Sequence, residues 1–330
     1  MALIAVAADK GAPGVSTTAL ALAAVWPRPV LLAECDPAGG DVVYRLPGAH
    51  GGRLDPRRGL LSLAVAARHG FQPDQVWAHA QRLRGGLDVL AGVASAEQGS
   101  GLEPLWGTLG ELLATLPDAD VIADCGRLGP DGPYYELLAQ AAGVILVARP
   151  SLSEVLRARD RAAAVALAVG RRGGPPARIG VLVVADRRGF RRALAEVGRA
   201  VAGPDSPACV LGGIVFEPKS AHRLRGEGDG RLDRSLLVRT ARDAAAQLAR
   251  EWLDGPAGTQ RTRACAPAAR EPAAPAAGRP ARRPGAVVAA AQPRPPRAAA
   301  RGRHAGRPAP PAVSPEPPGP GGPRARAQGW

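Results

Sequence analysis

Short apolar runs recur along the chain, spaced so that a helix fits between most neighbours. They fall at Leu3–Ala8, Val30–Glu34, Leu87–Leu90, Val121–Asp124, Val144–Val147, Ile179–Val184 and Val210–Val215. Several are continuously apolar rather than alternating, the pattern of strands covered on both faces. Helical periodicity and start signals place helices at Ser16–Val25, Gly59–Arg68, Pro73–Leu83, Leu102–Leu116, Pro133–Ala141, Ser153–Val169, Phe190–Val201 and Arg234–Leu253. Strands alternating with helices predict a doubly wound, mostly parallel α/β sheet. Such sheets bind ligands at the carboxyl ends of their strands. The stretch Pro37–Arg58, rich in Gly, Pro and Asp, reads as a mobile loop.

The pattern stops near Gly255. Residues 256–330 hold 17 of the 34 prolines, mixed with Ala, Gly and Arg and almost no large apolar residues. Such a segment buries too little surface to offset its chain entropy, so two parts are expected: a folded domain over 1–255 and a disordered tail over 256–330. Charge follows the same division. Of the net +14, the tail carries +11, from 13 Arg against Glu271 and Glu316, and the domain is near balance. Spread-out arginines without interleaved aromatics suit contact with the phosphates of DNA or another anionic surface rather than base stacking. No apolar run approaches the ~18 residues needed to span a bilayer and no secretory leader is evident, so a cytoplasmic protein without a transmembrane segment is expected. Cys35, Cys125, Cys209 and Cys265 lack metal-ligand spacing and read as reduced thiols.

The chemistry concentrates in Asp9-Lys10-Gly11-Ala12-Pro13-Gly14-Val15-Ser16-Thr17-Thr18, between the first apolar run and the first helix. A Gly-containing loop opening a helix aims backbone N–H groups and the helix dipole at one point, which is a cradle for phosphate. The loop departs from the G-x-x-x-x-G-K-[ST] pattern: Asp9 stands at the first glycine and Val15 at the lysine. Lys10 is nonetheless one of only two lysines among 43 basic residues. A lysine in a phosphate loop of a chain that otherwise uses Arg is a pointed choice. Two further strands end in carboxylates, Glu34-Cys35-Asp36-Pro37 and Ala123-Asp124-Cys125-Gly126. Carboxylates at neighbouring strand ends beside a phosphate loop suit Mg²⁺ and water positioning in nucleotide hydrolysis.

Taken together, Lys10–Thr17, Glu34–Pro37, Asp124–Gly126 and the run Ala142–Pro150 resemble the deviant phosphate-loop ATPases of the ParA/MinD family over residues 1–253. The resemblance implies a P-loop NTPase fold, ATP and Mg²⁺ as cofactors, and a homodimer formed across bound nucleotide. It gives Lys10 the signature role of reaching the partner's phosphates. Gly11, Gly14, Val15, Ser16 and Thr17 become the nucleotide-binding loop, Ser16 and Asp124 serve Mg²⁺, and Asp36 helps position water. The function implied is a nucleotide-dependent positioning or partitioning switch, with an unidentified protein partner. Departures accompany it. Val15 removes the lysine that contacts the β and γ phosphates, Glu34 replaces the first acid of D-x-D, and Ala185-Asp186 and Val215 replace residues usual at the base. Arg127 and Arg149 are candidates for the missing charge. The alternative is a pseudo-ATPase scaffold of the CpaE-like kind, serving a pilus or secretion machine without turnover. The helix Arg234–Leu253 is expected to pack inward rather than to target a membrane.

Overall fold

The computed structural model describes residues 1–254, apart from 12, 71, 175–177, 204–205 and 228–230. The tail beyond 254, with Cys265 and the expected disorder, lies outside the described residues. Eight strands form one sheet: β1 (Leu3–Ala8), β2 (Val30–Glu34), β3 (Gln81–Arg82), β4 (Asp88–Leu90), β5 (Asp120–Arg127), β6 (Gly143–Ala148), β7 (Arg178–Asp186) and β8 (Ala208–Phe216). Their order is β3-β4-β2-β5-β1-β6-β7-β8, and every pairing is parallel except the β3–β4 edge. The chain works outward from β1 in both directions, so the carboxyl end of β1 lies at the point where the winding reverses.

The helices are α1 (Val15–Ala24), α2 (Val42–Arg45), α3 (Leu60–Ala67), α4 (Val76–His79), α5 (Ala96–Ser100), α6 (Trp106–Ala114), α7 (Tyr135–Ala139), α8 (Leu152–Arg171), α9 (Phe190–Val201), α10 (Pro218–Leu224) and α11 (Leu236–Leu248). The continuous apolar runs are explained by two cores, one on each face. Along β1, Leu3, Ala5 and Ala7 enter one core with residues of α3 and α6–α9. Ile4, Val6 and Ala8 enter the other with residues of α1 and α11. The apolar face of α11 packs inward as expected, with Leu237, Val238, Ala241, Ala244, Ala245 and Leu248 buried.

Two expectations need correction. The helix expected over Pro73–Leu83 is one turn of 3-10 helix (Pro73–Gln75) and the short α4, after which the chain leaves as β3 to pair antiparallel with β4. Its apolar residues Val76 and Leu83 have helical spacing, but sheet pairing at Gln81 and Arg82 overrides it. The stretch Pro37–Arg58 is not a bare loop either, because it carries α2, whose N-terminus is tied to a buried carboxylate described below.

Candidate functional site

The loop after β1 has the geometry of a cradle. Gly11 and Gly14 both have positive φ, 81° and 103°, a backbone region open to glycine at low cost. A Cβ added to either would meet nothing within 4 Å, so both face open space. Gly14 is the N-cap of α1 and provides no side-chain cap; the helix's first turn contains no acid. Its free N–H groups and dipole therefore remain for an anion. Behind the loop, Asp9 is not a degenerate glycine but an anchor. Arg161 of α8 donates from Nε to Asp9 at 2.6 Å, and from Nη1 to the Gly129 carbonyl at 2.7 Å, joining the loop to the segment after β5.

The loop opens on a cavity of about 350 Å³ lined by Gly11, Gly14, Val15, Ser16, Thr17, Asp36, Asp124 and Gly126, with Arg45, Arg127 and Arg225 also on its walls. Strand register brings the acids here, since Glu34 and Asp124 are partners across β2 and β5. Burial pushes the Asp124 carboxyl up to about 6, opposed by hydrogen bonds from the Ser16 hydroxyl and the Gly126 N–H. The Ser16 hydroxyl and Asp124 carboxyl thus sit together. Asp36 is half-buried and accepts from the Ala38 N–H at 2.8 Å. Desolvation raises its pKa and Arg127 draws it back down. Gly126, at φ 57°, lies against Asp36 so closely that any side chain there would strike the carboxylate.

Lys10 is exposed at the rim, away from the cavity's lining. Val15 lines the cavity while its body joins the α1 core. Of the two arginines considered as replacements for the loop lysine, Arg127 reaches the cavity. Arg149 does not; its guanidinium stacks 3.9 Å above the Phe216 ring instead.

Sequence reasoning missed the part played by Glu34. Its Oε1 accepts from the N–H groups of Asp41 and Val42, at 2.8 and 2.9 Å, and its Oε2 from Gly92 at 2.9 Å. It is buried, and desolvation raises its pKa against those three bonds. The longer side chain holds the start of α2 and the loop after β4 together, and Gly40 and Gly92 leave it room. Arg45 and Arg225 were also missed, because no local motif marks either one and only the fold brings them together. Cys35 and Cys125 are buried thiols, and burial raises the pKa of both, Cys125 to about 12.

No family model and no curated protein matches the chain. Solved structures do. A ParA family ATPase from Chlorobium tepidum superimposes with TM-score 0.56 at 18% identity, over 74% of this chain and 98% of that one. The septum site-determining protein MinD of Pyrococcus horikoshii, complexed with Mg-ADP, gives 0.53 at 15% identity, over 75% and 95%. Cyanothece McdA(D38A) in its ATP complex gives 0.54 at 15% identity, over 76% and 96%. The chain has the ParA/MinD fold. At these identities the likeness establishes architecture, and the site's chemistry rests on the residues just described. Among the described residues no helix is long and apolar enough to cross a membrane.

Proposed function

We propose that the chain is a ParA/MinD-like nucleotide-dependent positioning switch with an atypical phosphate loop. One observation carries this reading. The left-handed glycines of the loop, Ser16, Asp36 and Asp124 all converge on one cavity at the carboxyl edge of a parallel sheet. In this reading Gly11, Gly14, Val15, Ser16 and Thr17 hold the phosphates of ATP through backbone N–H groups. Ser16 and Asp124 hold Mg²⁺, the cation that neutralises phosphate charge when bound. Asp36, anchored at Ala38 and pressed on Gly126, orients water. Lys10, exposed at the rim, is free to reach the phosphates of a second copy, so nucleotide would favour a homodimer. Solved relatives of the same fold include complexes with Mg-ADP and with ATP, which supports the choice of ligand.

Val15 favours a second reading. Without the in-loop lysine the site lacks a cation where charge develops during phosphoryl transfer. The chain would then serve as a non-hydrolysing scaffold of the CpaE-like kind. Measuring Mg-ATP binding and hydrolysis for the wild type, Val15→Lys and Lys10→Ala separates the two. Turnover that is lost in Lys10→Ala supports the switch. Binding without turnover supports the scaffold, and a wild type that binds no nucleotide overturns the switch.

A further inference from the structure

Two arginines on the cavity wall come from segments remote from the phosphate loop, and one of them is poorly satisfied. Arg45 closes α2 and Arg225 follows α10, and both line the cavity. The two segments meet, because Gly226 turns at φ 82° with its α-carbon against the Arg45 carbonyl, where a side chain would collide. Among the described residues, Glu227 is the carboxylate that lies near both arginines. It is 3.8 Å from Arg45 Nη1, 3.8 Å from Arg225 Nε and 3.3 Å from His222 Nδ1. At 3.8 Å neither arginine contact is a hydrogen bond. Arg225 Nε is buried and makes no hydrogen bond among the described residues, while Arg45 pairs with Asp41 at 2.8 Å. Glu227 therefore leaves the Arg225 fork unsatisfied, whereas a polyphosphate chain takes such forks in bidentate fashion.

We propose that Arg45 and Arg225 supply, from the facing wall, the positive charge that Val15 removes from the loop, and that they bind the outer phosphates of a nucleoside triphosphate. Glu227 occupies them in the unliganded chain and is displaced by the phosphates. This inference rests on the nucleotide-binding reading above, and it assigns phosphate recognition to residues about 30 and 210 positions beyond the loop.

The test uses the full chain, with inorganic tripolyphosphate and Mg-ATP as probes in calorimetric titration. Arg45→Ala and Arg225→Ala should each weaken both probes about 10-fold, the loss of one charge-assisted contact. Arg225→Lys should recover part of that loss. Glu227→Gln should tighten both probes about 3-fold by removing the competing carboxylate. Circular dichroism melts verify that each variant is folded, and the half-exposed Arg45 makes its variant the safer one if Arg225→Ala is destabilised. Arginine variants that bind like the wild type, or a Glu227→Gln that binds more weakly, overturn this inference and leave the nucleotide reading standing. A wild type that binds neither probe overturns both.

Discussion

Position 15 shows how one side chain separates fold from chemistry. Val15 is a good residue for the start of α1, since it is buried with the α1 core and also lines the cavity. A lysine there can keep its aliphatic stem on the same surface and carry its ammonium into the cavity. An uncompensated charge-assisted phosphate contact is worth ~2–3 kcal/mol, about 30- to 150-fold in affinity. With Arg45 and Arg225 supplying that charge, Val15→Lys should raise Mg-ATP affinity by much less than this in equilibrium titration, and a gain of the full size would mean that the cation is missing. Gly126 makes the converse point, because its conformation and its space are both committed. At φ 57° and against Asp36, Gly126→Ala should cost about 1–3 kcal/mol of stability and displace the carboxylate. Thermal melting reads the first effect. Loss of hydrolysis with retained binding reads the second.

At the scale of elements, two buried acids act as anchors, Glu34 beside the site and Asp120 at the opposite, amino edge of the sheet. Glu34 accepts three backbone N–H groups from α2 and the loop after β4. Glu34→Ala leaves those donors without a partner, so the amides of Asp41, Val42 and Gly92 should lose protection in hydrogen exchange while β1 and β5 keep theirs. Asp120, fully buried at the start of β5, accepts from the Ala2 N–H, the Trp26 indole and two nitrogens of Arg28. Removing it strands a buried indole N–H and part of an ion pair, so Asp120→Ala should destabilise the chain by about 3 kcal/mol, measured by denaturant titration. These anchors mark the limit of what the sequence could tell. The seven strands read as apolar runs were legible because burial on both faces writes hydrophobicity directly into the chain. The loop, Asp36 and Asp124 were legible because their chemistry is local in sequence. The two-residue β3 is too short to carry a period, and Glu34's bonds depend on loops that only the fold brings together. Arg45 and Arg225 share a cavity wall across 180 residues, a distance no local pattern spans.

At the scale of the whole molecule, charge decides two further behaviours. The first is set by Asp124, whose carboxyl is held near 6 by burial against an ordinary value of 3.8. Between those pH values this carboxyl holds its proton in the folded chain and loses it in the unfolded one, so the Asp124 contribution to stability falls as pH rises from about 4 to about 6 and levels off above. The melting temperature of Asp124→Asn should exceed that of the wild type by a margin that grows over that window, equivalent to as much as ~3 kcal/mol at neutral pH without a bound cation. A margin independent of pH would assign the carboxyl an ordinary environment. The second behaviour belongs to residues 256–330, which carry +11 of the net +14. We propose that this segment gives the chain a sequence-independent hold on DNA. Counterion release then sets the form of the result: log affinity for a duplex of random sequence should fall linearly with log salt, with a slope that grows with the number of phosphates neutralised. The 1–255 truncation should lose both the affinity and the slope, because the remaining domain is near charge balance. Nucleotide should leave the slope unchanged if the tail alone makes the contact. A truncation that binds DNA as well as the full chain would move the contact onto the folded domain, and a slope that steepens with Mg-ATP would instead show dimerisation doubling the number of tails on one duplex.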